Sequence, residues 1–166
     1  VFDLNLIIHP ANLYTAELLS DNLVDMTITI KADNELRFSI IGRDFYDNLL
    51  IIDTNEAKLK VINKNNQNEM PYKESYTDIS NGEQKYVYDL TQEGIYEITS
   101  GTNDKKEDLF NNEVYTVKVE AGELSPEKTI VKIDSSITAG NKAIATLSPK
   151  DKYNNDVTVD DILLGK

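Results

Sequence analysis

Few side chains in this sequence have the types and spacing that catalysis requires. His9 is the only histidine among the 166 residues and cysteine is absent, which excludes thiol chemistry, disulfides and multi-histidine metal sites within this segment. His9 precedes Pro10 at the end of an apolar run, a position typical of an ordinary loop residue. The seven glycines occur singly, so no glycine-rich loop is available to bind a phosphate group.

Carboxylates are the most abundant groups with chemical potential. Asp and Glu total 29 residues against 17 Lys and Arg, and three acidic clusters offer oxygen ligands of the kind that Ca²⁺ prefers. These clusters are Asp44 with Asp47, residues 104–108, and Asp156 with Asp160 and Asp161. None has the spacing of a calcium-binding loop, and nothing marks any carboxylate pair as a buried acid–base dyad. We therefore interpret the clusters as solvated turns and predict no enzyme activity, no metal and no cofactor.

The formal net charge of −12 limits the partners that the chain can bind. A chain of this charge without a basic patch repels nucleic acids and anionic membranes. No apolar run approaches the roughly 20 residues that span a bilayer, so we expect no direct membrane insertion by this segment. The absence of cysteine leaves the compartment open.

Period-two alternation of apolar and polar residues predicts short β-strands along the chain. The alternation is clearest in five segments, Leu36 to Ile40, Leu59 to Val61, Tyr86 to Tyr88, Tyr96 to Ile98 and Tyr115 to Val119. Residues 14–24 are the best helical candidate, but Ser20-Asp21-Asn22 favours a strand and a loop with at most one helical turn. Many short strands without helical interludes predict an all-β fold, an antiparallel β-sandwich.

Turn-forming residues separate the predicted strands. They are Asp47-Asn48, residues 63–68, Asn81-Gly82, Glu93-Gly94 and residues 103–108. Alternation places one set of side chains inside the sandwich. This predicted core comprises Leu36, Phe38, Ile40, Leu59, Val61, Tyr86, Tyr88, Tyr96, Ile98, Val117 and Val119. For the tyrosines, packing in or around the core is favoured over stacking on a carbohydrate or a peptide.

An internal repeat divides the chain. Residues 1–8 (VFDLNLII) align with residues 114–121 (VYTVKVEA), and residues 32–48 align with residues 139–155. Offsets of 113 and 107 residues have the size of a domain rather than of a solenoid unit. We therefore predict a closing strand of a preceding repeat, or an N-terminal strand, in residues 1–9. A complete repeat follows in residues 10–121, and residues 122–166 begin a further, truncated repeat.

The complete repeat resembles the filamin-type immunoglobulin-like repeat, and three motifs carry the resemblance. Residues 32–48, ending in Asp44-Phe-Tyr-Asp-Asn48, resemble the family's second strand with its Asp-x-x-Gly-Asn ending. Ser80 to Tyr96, with a Gly-x-Tyr step at Gly94, resembles the fifth and sixth strands. Val114 to Val119 resembles the closing strand. Two residues after Gly94, the Tyr96 hydroxyl is expected to contact nearby backbone in a tyrosine corner.

One departure from the family pattern concerns the glycine of the Asp-x-x-Gly-Asn turn. Its place is taken by Asp47 in the first copy and by Asn154 in the second. Both residue types adopt the left-handed backbone conformation more readily than other non-glycine residues. We therefore expect the turn to form in both copies.

The resemblance implies a non-catalytic module whose tandem repeats serve as a spacer and protein-interaction platform in a larger protein. The parent protein would be a cytoskeletal actin crosslinker or a cell-surface adhesion protein, as in the filamin-repeat gamete-surface proteins of plants and protists. The residue bias toward Asn, Lys, Asp and Ile is typical of A+T-rich genomes and compatible with a protist. The alternative is a carbohydrate-binding or accessory β-sandwich of a multidomain enzyme. The location would be the cell surface or the cytoskeleton-associated cytoplasm.

The resemblance also implies a binding site, because filamin-type repeats accept a partner's extended peptide along their third strand. The matching positions are Lys58, Leu59, Lys60, Val61 and Ile62, where no proline blocks the edge. Flanking lysines are equally typical of strands that resist edge pairing, so both interpretations stay open. We expect a monomeric module within a longer chain, with a protein partner bound by β-augmentation or through another surface protein.

Overall fold

Strands account for all the regular structure that the computed structural model describes. It describes residues 13–51, 57–102, 109–110, 113–133, 136, 138–140, 142 and 144–158. The strands are β1 (Thr15–Leu19), β2 (Leu23–Val24), β3 (Thr27–Lys31), β4 (Leu36–Arg43), β5 (Leu49–Leu50), β6 (Ala57–Asn63), β7 (Glu69–Met70), β8 (Glu74–Asp78), β9 (Glu83–Tyr88), β10 (Gly94–Thr102), β11 (Tyr115–Glu120), β12 (Ile130–Ile133) and β13 (Ala145–Ser148).

Two sheets form the body of the molecule. The first has the order β1-β4-β9-β8, with β5 paired to β4, and the second has the order β2-β3-β11-β10-β6-β7. Neighbouring strands are antiparallel except for β3 and β11, which run parallel with Thr27–Lys31 opposite Thr116–Glu120. This arrangement confirms the predicted all-β sandwich. Residues 14–24 contain β1 and β2, as the strand-and-loop prediction stated.

Alternating side chains from the two sheets meet in one core. Every residue of the predicted core is buried, and Leu36, Ile40, Val61, Tyr96 and Val117 are fully inaccessible. Phe38 lies against Tyr86 and Tyr88, with ring centroids 5.5 and 5.9 Å apart. Burial raises the pKa of the Tyr86 phenol to about 12, so the ring stays neutral in the core. Period-two patterning therefore identifies the interior correctly.

Some buried or paired segments lack a clear sequence signal. Strand β8 reads Glu-Ser-Tyr-Thr-Asp and pairs with β9 at one edge of the first sheet, where alternation toward a core is weak. Leu109 and Phe110 are buried although they follow the polar residues 103–108. These last residues, predicted to form a turn, lie outside the described part of the chain.

The strands carry the chain between two opposite ends of the sandwich, which we call the entry pole and the exit pole. The entry pole holds Tyr14, where β1 begins, and the turn Asp44–Asn48 that follows β4; the Tyr14 N–H donates to the Arg43 carbonyl at 2.9 Å. The exit pole holds Asp33, the loop Thr91–Glu93 and Gly122 after β11. The Ala32 N–H donates there to the Glu120 carbonyl at 2.9 Å.

Residues 122–158 continue beyond the sandwich at the exit pole. Strands β12 and β13 pair as a two-stranded antiparallel sheet, and isolated bridges join Leu124 to Asp151 and Lys150 to Asp156. Tyr153 is half-buried against the core of the sandwich. Residues 1–12, with His9 and the predicted closing strand of a preceding repeat, lie outside the described residues, so the three-part division of the chain remains a prediction.

Candidate interaction site

The turn Asp44–Asn48 at the entry pole is organised by one carboxylate. Asp44 Oδ1 accepts hydrogen bonds from the backbone N–H groups of Tyr46 and Asn48 at 2.9 and 2.8 Å, and Asp44 Oδ2 accepts from Asn48 Nδ2 at 2.9 Å. Asp47 adopts a φ of 66°, the left-handed conformation expected at the family's glycine position. Asp44 is only 2% exposed, so the prediction of a solvated turn is wrong for this residue. Its carboxylate replaces solvent contacts with hydrogen bonds inside the turn.

The turn Asp151–Asn155 has the same construction. Asp151 Oδ1 accepts from the N–H groups of Tyr153 and Asn155 at 2.9 and 2.8 Å, and Asp151 Oδ2 accepts from Asn155 Nδ2 at 2.7 Å. Asn154 has a φ of 73°. In both turns the first N–H donates to the carbonyl of the fifth residue at 3.0 Å. The alignment of residues 32–48 with residues 139–155 therefore predicted two turns with one hydrogen-bond pattern.

The second turn is joined to the exit pole by backbone and side-chain hydrogen bonds. Asn155 Nδ2 donates to the Thr91 carbonyl at 2.9 Å, and Asn155 Oδ1 accepts from the Glu93 N–H at 2.9 Å. Asp151 Oδ2 accepts from the Gly122 N–H at 2.8 Å. Asn155 is consequently only 7% exposed. We call this contact between residues 151–155 and the exit pole the junction.

An ion pair between Lys152 and Asp33 lies at the junction. Lys152 Nζ lies 3.0 Å from Asp33 Oδ1, and Asp33 Oδ2 accepts from the Glu123 N–H at 2.7 Å. A Cβ atom at Gly122 would overlap the Asp33 carboxylate, so a larger residue there would require that carboxylate to move. Burial alone would raise the pKa of Asp151, but the hydrogen bonds from Gly122, Asn155 and Tyr153 outweigh it and hold the pKa below its usual range.

A tyrosine corner holds the loop that receives Asn155. The Tyr96 hydroxyl donates to the Gln92 carbonyl at 2.8 Å, as predicted from the Gly94-Ile-Tyr96 step. Gln92 lies between Thr91 and Glu93, the two residues that bond to Asn155. The buried ring therefore fixes the backbone groups that the junction uses. Thr91 and Glu93 bond to Asn155 through backbone groups, which every residue type carries, so their side chains do not reveal this contact.

The predicted edge-strand site lies on β6, in the second sheet. Leu59 and Val61 point into the core, whereas Lys60 is exposed and pairs with Glu69 at 2.6 Å. On one side β6 pairs with β10 along its whole length. On the other side β7 covers only Val61 and Ile62, and the described residues place no strand beside Lys58 to Lys60. The open part of this edge is therefore shorter than the predicted five residues.

The remaining acidic clusters form no metal site in the described part of the chain. No group of three or more His, Asp or Glu residues there could hold a metal ion. Asp47 faces Arg43 at 3.5 Å and Asp156 pairs with Lys150 at 2.7 Å. Residues 104–108, Asp160 and Asp161 lie outside the described residues. The described part of the chain contains no helix that is long and apolar enough to cross a membrane.

The sandwich topology and the tyrosine corner are those of an immunoglobulin-like fold, which a solved filamin domain shares. The solved Lin-41 filamin domain is 15% identical, with a TM-score of 0.51 over 68% of this chain and 98% of that domain. FdeC, an Escherichia coli adhesin, is 19% identical with a TM-score of 0.55, over 91% of this chain and 46% of the adhesin structure. InvD of Yersinia pseudotuberculosis is 14% identical with a TM-score of 0.51, over 78% of this chain and 40% of that structure.

These likenesses concern the fold, because every identity is below 20%. No protein-family model matches the chain, and no curated protein matches it. The predicted filamin-type immunoglobulin-like fold is confirmed by the structural neighbours. The likenesses therefore assign no role to any individual residue of this chain.

Proposed function

We propose that the chain is a non-catalytic, tandem immunoglobulin-like segment that acts as a spacer and protein-interaction platform in a larger protein. The junction is the observation that carries this proposal. Residues 151–155 repeat the turn that ends β4, and they are hydrogen-bonded to the opposite pole of the sandwich. Hydrogen bonds between successive modules restrain their relative motion, and a spacer needs such a restraint.

Two of the structural neighbours support a tandem arrangement. The likeness to the FdeC adhesin extends over 91% of this chain, whereas the likeness to a single filamin domain extends over 68%. The additional part is consistent with a second module that begins in residues 122–158. Between the two parent proteins considered, the adhesin likeness favours a cell-surface adhesion protein over a cytoskeletal one.

The spacer role is tested by breaking the junction. Asn155→Ala removes the bonds to Thr91 and Glu93 together with one bond inside the turn, whereas Asn48→Ala removes only the matching bond inside the first turn. We expect Asn155→Ala to free residues 122–158 from the sandwich, seen by ¹⁵N relaxation as faster tumbling of that part. Asn48→Ala should leave the tumbling unchanged. Identical relaxation in wild type and Asn155→Ala would overturn the spacer proposal.

Antibody staining of cells distinguishes a cell-surface adhesion protein from a cytoskeletal one. An antibody raised against this segment is applied to intact and to permeabilised cells that produce the parent protein. Staining of intact cells is expected for an adhesion protein. Staining only after permeabilisation would assign the segment to the cytoskeleton.

The platform role centres on β6, from Lys58 to Ile62. Peptide addition is possible where backbone groups lack a neighbouring strand, and among the described residues this applies to Lys58 to Lys60. A proline or a charge at Val61 would be uninformative, because Val61 is fully buried in the core. A better experiment selects extended peptides from a random library and maps the amides they protect from hydrogen exchange. Protection should appear in residues 58–60; protection confined to β8, the edge of the other sheet, would refute the assignment.

A further inference from the structure

The entry pole carries a copy of the turn that forms the junction, and this copy is undocked as far as the described residues go. Residues 44–48 and 151–155 share their hydrogen bonds and their left-handed fourth residue. Only the second copy has a receiving surface among the described residues. Asn155 is 7% exposed and Tyr153 packs against the core, whereas Asn48 is exposed and Tyr46 is 75% exposed.

Three aromatic residues lie in or beside this undocked turn: Phe45 and Tyr46 belong to it, and Tyr14 is next to it. Phe45 is 67% exposed and contacts both Tyr14 and Tyr46 edge to face, with centroids 5.2 and 5.5 Å apart. Tyr14 is itself 59% exposed. Three aromatic side chains grouped on the surface of one pole form an apolar patch of the kind that marks an interface. We call these three residues with Asp44 and Asn48 the entry patch.

We propose that the entry patch is the docking surface for a preceding immunoglobulin-like module, bound in the geometry of the junction. This inference rests on the proposed tandem arrangement and extends it to the other end of the sandwich. Asn48 takes the role of Asn155, donating to one backbone carbonyl and accepting from one backbone N–H of the preceding module's exit pole. The sequence of residues 1–8, which aligns with the strand that ends at the exit pole of this sandwich, supports that occupant.

The chemistry of the preceding module follows from the differences between the two turns. Phe45 stands where the junction has Lys152, the partner of Asp33. A buried phenylalanine cannot neutralise a carboxylate, so an acidic residue in the Asp33 position would be left unpaired. The occupant therefore presents a neutral or apolar side chain at that position, next to a backbone carbonyl and N–H spaced like those of Thr91 and Glu93.

A transplant tests whether the first turn can dock. Lys152→Phe with Asn154→Asp makes residues 151–155 identical to residues 44–48, and Asp33→Asn removes the charge that would lose its partner. The measurement is the hydrogen-exchange rate of the Glu93 amide, which is bonded to Asn155 Oδ1 in the wild type. We expect the triple variant to exchange within about threefold of Asp33→Asn alone, and Asn155→Ala to exchange at least about tenfold faster.

The controls separate this proposal from the spacer proposal. If the triple variant exchanges as fast as Asn155→Ala, the first turn cannot dock and the entry-patch proposal is overturned, while the spacer proposal stands. If Asn155→Ala itself exchanges at the wild-type rate, the junction is not held as described, and both proposals fail.

A second experiment tests occupancy of the entry patch. Residues 10–121 are fused before residues 9–166, so that Val114 to Ala121 of the added module take the place of residues 1–8. Cysteine replaces Asp33 of the added module and Phe45 of the following one, and a short bis-maleimide is added, which joins two thiols by addition; the described residues contain no other thiol. We expect a crosslink, as in the single chain carrying Asp33→Cys and Lys152→Cys. Cysteine at Asn66 instead of Phe45 should give none, and equal crosslinking at the two positions would overturn the proposal.

Discussion

A single buried carboxylate organises each of the two turns that define this chain. Asp44 and Asp151 each bind two backbone N–H groups and an asparagine amide, which satisfies polar groups that solvent would otherwise have to reach. Because the carboxylate fixes the turn, the fourth residue can be Asp47 or Asn154 instead of glycine despite its left-handed backbone. The sequence motif predicted this conformation, but Asp44 was predicted to be solvated, and its burial is explained by the hydrogen bonds.

Asp44→Ala tests this role. The variant leaves the Tyr46 and Asn48 N–H groups without their acceptor, and we expect it to lower the free energy of unfolding by about 2–3 kcal/mol. The measurement is urea denaturation followed by circular dichroism. Asp47→Gly is the matched control, since it keeps the carboxylate of Asp44 and suits the left-handed backbone; it should stay within about 1 kcal/mol of the wild type. Equal losses in the two variants would contradict the assigned role of Asp44.

Asp151 makes stability depend on pH. Its pKa is lower in the folded chain than its usual value of about 3.9, so its stabilising contribution is present above that value and disappears as the pH falls through the folded pKa. We expect the difference in unfolding free energy between wild type and Asp151→Asn to be constant above about pH 5 and to shrink below about pH 4. Asp78, whose pKa is held at about 2 by Ser80 and Lys85, is common to both proteins and cancels. A difference that stays constant down to pH 2 would contradict the hydrogen bonds assigned to Asp151.

Among the strands, those with one face buried in the core were the easiest to predict from the sequence. Strands β4 and β10 alternate because one side of each faces the core, and the sequence predicted them; β9 was also predicted, although its Val87 is buried along with Tyr86 and Tyr88. Strand β8 lies at the sheet edge with mostly polar residues, and its pairing could not be read from period-two patterning. The parallel pairing of β3 with β11 joins residues far apart in sequence, and no local pattern encodes such a contact.

The hairpin of β12 and β13 exposes apolar residues, which allows a contrast between two positions. Val131 and Leu147 are cross-strand neighbours and are 57% and 58% exposed, whereas Val157, farther along, is 5% exposed. We expect Leu147→Lys to change the unfolding free energy by less than about 0.5 kcal/mol, because the leucine side chain is already exposed. Val157→Lys should destabilise the region of the junction by about 2 kcal/mol or more. Urea denaturation measures both changes; an equal loss of unfolding free energy in the two variants would contradict the contrast in burial between Leu147 and Val157.

At the scale of the whole molecule, the sandwich contains its own core. Every member of the buried hydrophobic cluster lies between Ala16 and Val119, and from the residues beyond it Tyr153 packs against this cluster. The boundary near residue 121 stays a prediction from the repeat. The junction was not predicted, because its hydrogen bonds depend on how the turn Asp151–Asn155 meets the distant loop Thr91–Glu93 in space.

Truncation after Leu124 tests this independence. We expect the shortened chain to remain monomeric and to unfold cooperatively, with a loss of about 1–3 kcal/mol for the missing junction bonds. Size-exclusion chromatography and urea denaturation provide the measurements. Aggregation of the truncated chain, with a soluble full-length chain, would mean that residues 125–166 complete the sandwich and that the predicted boundary is wrong.

The parallel pair of β3 and β11 has a mechanical consequence. Strand β3 lies near the start of the sandwich and β11 at its end, and their paired residues, Thr27–Lys31 and Thr116–Glu120, run in the same direction. Stretching the chain from its two ends pulls these strands past each other along their length. Their hydrogen bonds then bear the load together instead of opening one after another from an end. The sandwich therefore resists a pulling force most strongly at the start of its extension.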